Sequence, residues 1–274
     1  MNSKFLVKKI TSYLLILIFA VWCLFPIYWL LATSLKTNLQ TNADPPMFIF
    51  KPIIDNYRLI IQDPDIWHVF FNSLIVASGT TFFSLVLGVP AAYVLAKFKF
   101  KGNSDYSFWI LSTRMAPPIA MLIPFYVMYN NFGILDTHIG LILAHISLNL
   151  SLVVWIMRGF FEDMPKEIEE SSYIDGASYL NTFYKISLPI SRNGMVAVGI
   201  LCFLFSWNEF LMALILTDDN AKTVPVGISK FVGYQLIKWA ELAASAMFMI
   251  VPIFIFLVFF QKQLIKGLTM GAIR

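Results

Sequence analysis

Few residues of this chain are of the types and spacings that perform chemistry, and most of those lie between or within long apolar segments. The sequence contains no phosphate-binding loop of the form Gly-x-x-x-x-Gly-Lys-Ser/Thr, no His-Glu-x-x-His pair and no serine-histidine-acid set in a recognisable context. The chain is therefore not expected to hydrolyse ATP. Its two cysteines lack metal-ligand spacing, so no metal site is predicted either.

The composition is that of a membrane protein. Hydrophobic residues make up 58% of the chain and charged residues only 13%, against roughly a quarter in an ordinary soluble domain. Six runs are long and apolar enough to span a bilayer, and they predict an all-α polytopic protein with a single transmembrane domain over residues 1–274. The predicted spans are 10–32, 70–96, 108–129, 139–161, 194–216 and 242–260.

Lysine and arginine predict the orientation of these spans. One set of interhelical segments and both termini carry thirteen of them, and the opposite set carries six. Because basic residues are enriched on the cytoplasmic side, both termini and residues 162–192 are predicted to be cytoplasmic. The net charge of +4 is modest and spread along the chain, so no nucleic-acid partner is predicted.

The most informative polar stretch, ESSYIDGASYLNTFYKISLP, lies between the fourth and fifth predicted spans. Pro165 and the acids after it favour a helix start, and Gly176 suits a tight turn or a close backbone approach. A second short helix is predicted to end at Leu188 and Pro189, since the residue before a proline is disfavoured in a helix. The apolar residues of this helix-turn-helix would mark an interaction site. They are Tyr173, Ile174, Tyr179 and Phe183.

The spacing of this stretch resembles the EAA loop of permease subunits in bacterial ABC importers. The residues that carry the resemblance, or fall within it, are Glu170, Ser171, Ser172, Asp175, Gly176, Ala177, Ile186, Leu188 and Pro189. Serines replace both alanines of the family pattern, and because serine is also small we expect docking to persist. We call residues 162–192 the coupling loop.

The resemblance extends over essentially the whole chain and points to carbohydrate importers of the maltose-transporter type. Further matching pieces are RMAPP at 114–118, GILDT at 133–137, RGFF at 158–161, WNEFL at 207–211 and GLTMGA at 267–272. It implies the type I ABC importer permease fold and a place in the bacterial inner membrane. It also implies that the chain moves a sugar, polyol or glycerol phosphate and binds no cofactor of its own.

The same resemblance implies several partners. They are a second, homologous permease subunit, two cytoplasmic ATPase subunits that use ATP and Mg, and an extracytoplasmic solute-binding protein. The tail at 267–272 would approach the ATPase pair. Energy would then reach the permease through the coupling loop.

Polar residues within the spans are candidates for the solute pathway. Charged side chains are costly there, by about 2.5 to 3.5 kcal/mol on insertion scales, so each needs water or a protein partner. The candidates are Arg114, His145, Asn149, Trp207, Asn208 and Glu209. Structural hydrogen bonding between helices is the alternative role for these residues. In the third span, Pro117, Pro118 and Pro124 are expected to bend the helix.

Two other classes of protein are alternatives. An ion-coupled secondary transporter of a small polar solute would work without partner proteins, but it would be expected to show inverted repeats. A membrane-embedded enzyme would need a cluster of catalytic groups within the spans. The sequence shows no clear repeat and only scattered polar residues, so the importer subunit is the preferred interpretation.

Overall fold

The chain is mostly helical in the computed structural model, which describes residues 3–233 and 237–268. Within those residues no β-strand forms, and one isolated antiparallel bridge joins Val232 and Ile237. The helices are α1 (Ser3–Ser34), α2 (Asn38–Thr41), α3 (Asp55–Gln62), α4 (Pro64–Lys97), α5 (Asn103–Thr113), α6 (Pro118–Phe132), α7 (His138–Glu162), α8 (Lys166–Ile174), α9 (Tyr179–Thr182), α10 (Leu188–Ile190), α11 (Arg192–Trp207), α12 (Leu211–Leu216), α13 (Val224–Gly227) and α14 (Trp239–Leu268). A π-helical turn (Phe183–Ser187) and a 3₁₀ turn (Ile228–Phe231) complete the described elements.

Four of the predicted spans are continuous helices. The spans at 10–32, 70–96, 139–161 and 242–260 lie within α1, α4, α7 and α14, each of which is long and apolar enough to cross a membrane. Two further spans exist only if bent helix pairs are counted, which gives up to six in the described residues. The all-α polytopic class is therefore confirmed.

The third predicted span is not one helix. It is divided into α5 and α6, whose axes meet at 88°. Pro117 and Pro118 explain the break, because each lacks a backbone N–H and Pro118 restricts the residue before it. Pro118 occupies the first turn of α6, where a missing N–H costs little. The prolines bend this span as predicted, and the bend divides residues 108–129 between two helices.

The fifth predicted span, 194–216, is also interrupted. Helix α11 ends at Trp207, and α12 begins only at Leu211. The prediction that the preceding short helix ends at Leu188 and Pro189 was wrong as well, since helical structure continues to Ile190. The π-helical turn before Pro189 widens the helix, and the wider turn relieves the clash that a proline ring makes with the carbonyl four residues earlier.

The described residues divide into two compact units, 3–66 with 228–251 and 67–227 with 252–268. In the first unit, α2 is fixed to the start of α14 because the Asn38 amide donates hydrogen bonds to both carboxylate oxygens of Glu241, at 2.9 and 3.1 Å. In the same unit, Lys230 donates to Asp63 at 2.6 Å.

The second unit is built on close packing of α4, α7 and α11. Glycines allow the approach: a Cβ at Gly88 would lie 2.7 Å from Val153, and one at Gly194 would lie 2.8 Å from the ring of Phe160. Small residues at such crossings are typical of helix packing in membranes. Next to these crossings, one core cluster gathers side chains from α4, α7, α11 and the coupling loop, including Tyr93. This cluster supports the candidate site.

Candidate functional site

The coupling loop folds as a helix-turn-helix closed by hydrogen bonds around Gly176. Helix α8 ends in a Schellman motif, in which the Gly176 N–H donates to the Tyr173 carbonyl and the Ala177 N–H to the Ser172 carbonyl, both at 3.0 Å. Gly176 has φ of +84°, a left-handed conformation that favours glycine. Apart from its two neighbours in the chain, no described residue has a heavy atom within 4 Å of a Cβ built at this position. The space above the turn is therefore open to another molecule.

The two serines that replace the alanines of the family pattern have different roles. Ser171 is exposed, and its hydroxyl donates to the Ile168 carbonyl. Ser172 is buried, and its hydroxyl lies 2.7 Å from that of Thr182 on α9. The second serine thus adds a hydrogen bond between the two arms of the helix-turn-helix.

Apolar side chains around the turn are exposed on one part of the loop. Ile174 is 86% exposed, and Tyr179, Leu180 and Tyr184 are each more than half exposed. Ile174 and Tyr179 were predicted from the sequence to lie at this surface, whereas Leu180 and Tyr184 were not. The prediction was wrong for Phe183, which is buried in the core because α9 and the π-helical turn direct it toward the bundle.

The remaining residues of the predicted site are distributed over the same segment. Glu170, Asp175 and Pro189 are exposed, whereas Ala177, Ile186 and Leu188 are half-buried. Leu188 packs against the core cluster under the loop. The tail piece GLTMGA lies largely outside the described residues, which end at 268.

A buried ion pair beneath the loop was missed by the sequence analysis. The Glu169 carboxylate lies 3.3 Å from the Lys97 ammonium at the end of α4, and their side chains are only 7% and 10% exposed. Glu169 also accepts a 2.6 Å hydrogen bond from the Ser187 hydroxyl, and Lys97 donates to the Met164 carbonyl at 3.1 Å. Glu169 and Ser172 are three residues apart and share the buried face of α8, but this spacing does not indicate Lys97 as the partner.

Within the spans, Glu209 and His145 lie together at the break between α11 and α12. The Glu209 carboxylate is 14% exposed and lies 3.3 Å from Nε2 of His145, which is fully buried. The other ring nitrogen of His145 is 2.7 Å from the Ser206 hydroxyl. Glu209 also accepts the N–H groups of Met212 and Ala213, so it satisfies the free amides at the start of α12.

The other polar candidates are not gathered at one point. Asn149 is buried and donates to the His145 carbonyl, and Trp207 is buried against Phe203. Asn208 is exposed, although its amide donates to the Leu204 carbonyl.

Arg114 is the remaining candidate, and it is exposed at the 88° bend. Its guanidinium lies 5.2 Å from the ring centre of Phe205. Arg114 and Asn208 are therefore the two candidates whose side chains are most accessible in the folded chain.

Asp136 holds two interhelical loops together, a role the sequence did not indicate. Its carboxylate accepts the N–H groups of Asp218, Asn220 and Ala221, and its own N–H donates to the Leu216 carbonyl at 2.9 Å. Partial burial acts to raise the pKa of Asp136, but the backbone hydrogen bonds outweigh it and hold that pKa below its ordinary value.

Comparison with protein families identifies relatives over almost the whole chain. A family described as "Binding-protein-dependent transport system inner membrane component" matches residues 84–270. The trehalose/maltose transport system permease protein MalG of Thermococcus litoralis is 31% identical over 271 residues, 97% of each chain. The trehalose transport system permease protein SugB of Mycobacterium tuberculosis is 33% identical over 256 residues, 92% of this chain and 93% of the relative.

Solved structures share the fold. A chain from the crystal structure of a bacterial ABC transporter involved in the import of the acidic polysaccharide alginate superimposes with a TM-score of 0.78. The match covers 96% of this chain and 98% of that chain at 22% sequence identity. A second chain, from the crystal structure of a bacterial alginate ABC transporter in complex with an alginate pentasaccharide-bound periplasmic protein, superimposes with a TM-score of 0.71. That match covers 98% of both chains at 14% sequence identity. At these identities the likeness shows the fold alone.

Proposed function

The chain belongs to the family of binding-protein-dependent transport system inner membrane components, and from this premise we propose that it is a permease subunit of an ATP-driven importer of a sugar or related polyol. The observation that carries the proposal is the coupling loop. Its backbone turns sharply at Gly176, the space above the turn is open, and exposed apolar side chains surround it. Such a surface suits insertion into a partner protein.

The sugar class is inferred from the relatives. Two that match over more than nine tenths of this chain are described as permeases for trehalose or maltose. The chain does not itself hydrolyse ATP in this proposal, because its sequence lacks a phosphate-binding loop. Two cytoplasmic ATPase subunits supply that activity with Mg, a second permease subunit completes the translocation path, and an extracytoplasmic binding protein delivers the solute.

Alternating access follows from a two-state mechanism. Binding of ATP closes the ATPase pair, and closure moves the coupling loops and the helices attached to them from an inward-facing to an outward-facing state. Because nucleotide and binding protein interact differently with the two states, each can bias the equilibrium. Both termini and residues 162–192 are cytoplasmic in this arrangement, as the distribution of basic residues indicates.

We assign the candidate pathway residues to two roles. Asn208 and Arg114 are exposed and can meet solute hydroxyl groups directly. Glu209, with His145, fixes the break between α11 and α12 and so positions Asn208. Trp207 and Asn149 are buried, and they support that arrangement from within the bundle.

Reconstitution tests this function against the main alternative. The complex is placed in proteoliposomes with the binding protein outside, after candidate sugars have been screened for binding to that protein. Uptake is expected only when ATP is present inside and binding protein outside. Uptake driven by a proton or sodium gradient without ATP would instead identify an ion-coupled transporter and overturn the proposal.

A further inference from the structure

We propose that the buried Lys97–Glu169 ion pair is a positioning element that transmits movement of the coupling loop to helix α4, an inference that rests on the proposed function above. Lys97 is the last residue of α4, a helix of 34 residues that is long and apolar enough to cross a membrane. Glu169 lies on α8, the first arm of the coupling loop. The pair therefore joins the segment proposed to meet the ATPase to the end of a transmembrane helix.

The contacts of the two charges reach four parts of the chain. Lys97 contacts Glu169 at 3.3 Å and donates to the carbonyl of Met164, in the turn that follows α7. Glu169 receives the Ser187 hydroxyl from the π-helical turn at 2.6 Å. Because α4, the turn after α7 and both arms of the loop meet at one pair of charges, a displacement of the loop is passed directly to α4.

Aromatic packing beside the ion pair makes the junction stiff. The ring centre of Tyr93, one turn before Lys97 on α4, lies 4.7 Å from that of Phe183 and 5.2 Å from that of Phe161 on α7. The ring centre of Phe98 lies 5.3 Å from that of Tyr179 in the coupling loop. Interiors packed in this way pass on displacements because they have little free volume to absorb them.

Energetics argue that the ion pair has a role other than stability. Removing two charges from water is costly, and replacing a buried ion pair by apolar residues of similar size is often neutral or stabilising. A hydrogen-bonded ion pair is directional, unlike an apolar contact, because it fixes both the distance and the orientation of its two groups. We infer that this directional connection couples ATP hydrolysis to helix movement.

The test separates coupling from folding. In the double variant Lys97→Met/Glu169→Leu no unpaired charge is left, so the complex should assemble. Its ATPase activity, with binding protein present, is expected to stay near that of the wild type. Its solute uptake is expected to fall about tenfold, within the usual range of coupling effects. Asp105→Asn removes an exposed acid from α5, outside the coupling loop, and serves as the matched control, with no change in the ratio of ATP hydrolysed to solute taken up.

A double variant that assembles and keeps the wild-type ratio of ATP to solute would overturn the proposal, because an apolar contact would then suffice. If the double variant is not recovered as a complex, the proposal is tested with Ser187→Ala. This variant removes the hydrogen bond to Glu169 and leaves the charges of Lys97 and Glu169 in place. That variant is expected to raise the ratio of ATP to solute, whereas Lys97→Arg should keep it near the wild-type value. An unchanged ratio in Ser187→Ala would also overturn the proposal. Absence of ATP-driven uptake by the wild-type complex would refute the proposed function itself, and this inference with it.

Discussion

Substitution of Gly176 separates the backbone requirement of the turn from its role in docking. The residue has φ of +84°, and a side chain in the left-handed region costs about 1–2 kcal/mol, less for Asn. Apart from its two neighbours in the chain, no described residue has a heavy atom within 4 Å of the added Cβ, so packing against the described residues adds no further cost. Gly176→Ala and Gly176→Glu should therefore destabilise the free subunit by the same small amount, and Gly176→Asn by less.

Transport should distinguish the same three variants. The side chain of Gly176→Glu places bulk and negative charge in the open space above the turn, where the proposed ATPase partner would dock. Uptake and binding-protein-stimulated ATP hydrolysis are expected to be abolished in Gly176→Glu and largely retained in Gly176→Ala, which adds only a methyl group, with the larger Gly176→Asn between them.

The assays for this series are thermal unfolding in detergent and uptake by proteoliposomes that contain equal amounts of each complex. The reasoning would be refuted by full uptake in the Gly176→Glu complex. It would also be refuted if Gly176→Ala unfolded as severely as a core mutant and lost uptake together with Gly176→Glu, since the turn would then be required only for folding.

Three further predictions concern orientation, the break in the fifth span and the two loops joined by Asp136. In intact cells, a cysteine that replaces Lys51 should react with a membrane-impermeant thiol reagent, and a cysteine that replaces Lys185 should not. Labelling at position 185 would contradict the predicted orientation. Asn208→Ala should lower uptake without a change in melting temperature, because Asn208 is exposed. Glu209→Gln should weaken the cap of α12 and cost about 1–2 kcal/mol of stability. A Glu209→Gln subunit that melts at the same temperature as the wild type would contradict the capping role. Asp136→Asn should destabilise the subunit by about 1–3 kcal/mol at neutral pH, because a carboxylate that accepts several N–H groups loses its charge. The pKa of Asp136 is lowered in the folded state, so the charged carboxylate stabilises the fold above the ordinary carboxyl pKa near 4. This stabilisation is lost as the pH falls below that value, and the stabilities of the wild type and Asp136→Asn should therefore become equal in acid.

The sequence predicted the fold class and four of the spans because long apolar runs leave little choice of structure in a membrane. It also located the turn of the coupling loop, since only glycine adopts the conformation at Gly176 without strain. The break at Asn208 to Phe210 was missed because its cause is tertiary as well as local. The Glu209 carboxylate approaches the amides of α12 and the ring of His145, which is 64 positions away in the chain.

Long-range pairs account for the other residues that the sequence could not indicate. The Lys97–Glu169 ion pair depends on the approach of α8 to the end of α4, and the hydrogen bonds of Asp136 depend on the approach of residues 218–221. Neither approach follows from local spacing. Phe183 was assigned to the surface because a short amphipathic segment does not reveal which of its apolar residues faces the bundle.

Site-specific photocrosslinking tests most directly the claim that this subunit receives its energy through the coupling loop. The probe is Ile174→Cys, labelled with a benzophenone maleimide in a background of Cys23→Ser and Cys202→Ala, within a purified complex that hydrolyses ATP. Leu39→Cys, exposed on a segment predicted to be external, is the control. The account predicts an adduct between position 174 and the ATP-binding subunit, and no such adduct from position 39. Failure of position 174 to crosslink to that subunit in a complex active in ATP-driven uptake, or its crosslinking to the extracytoplasmic binding protein, would contradict the account.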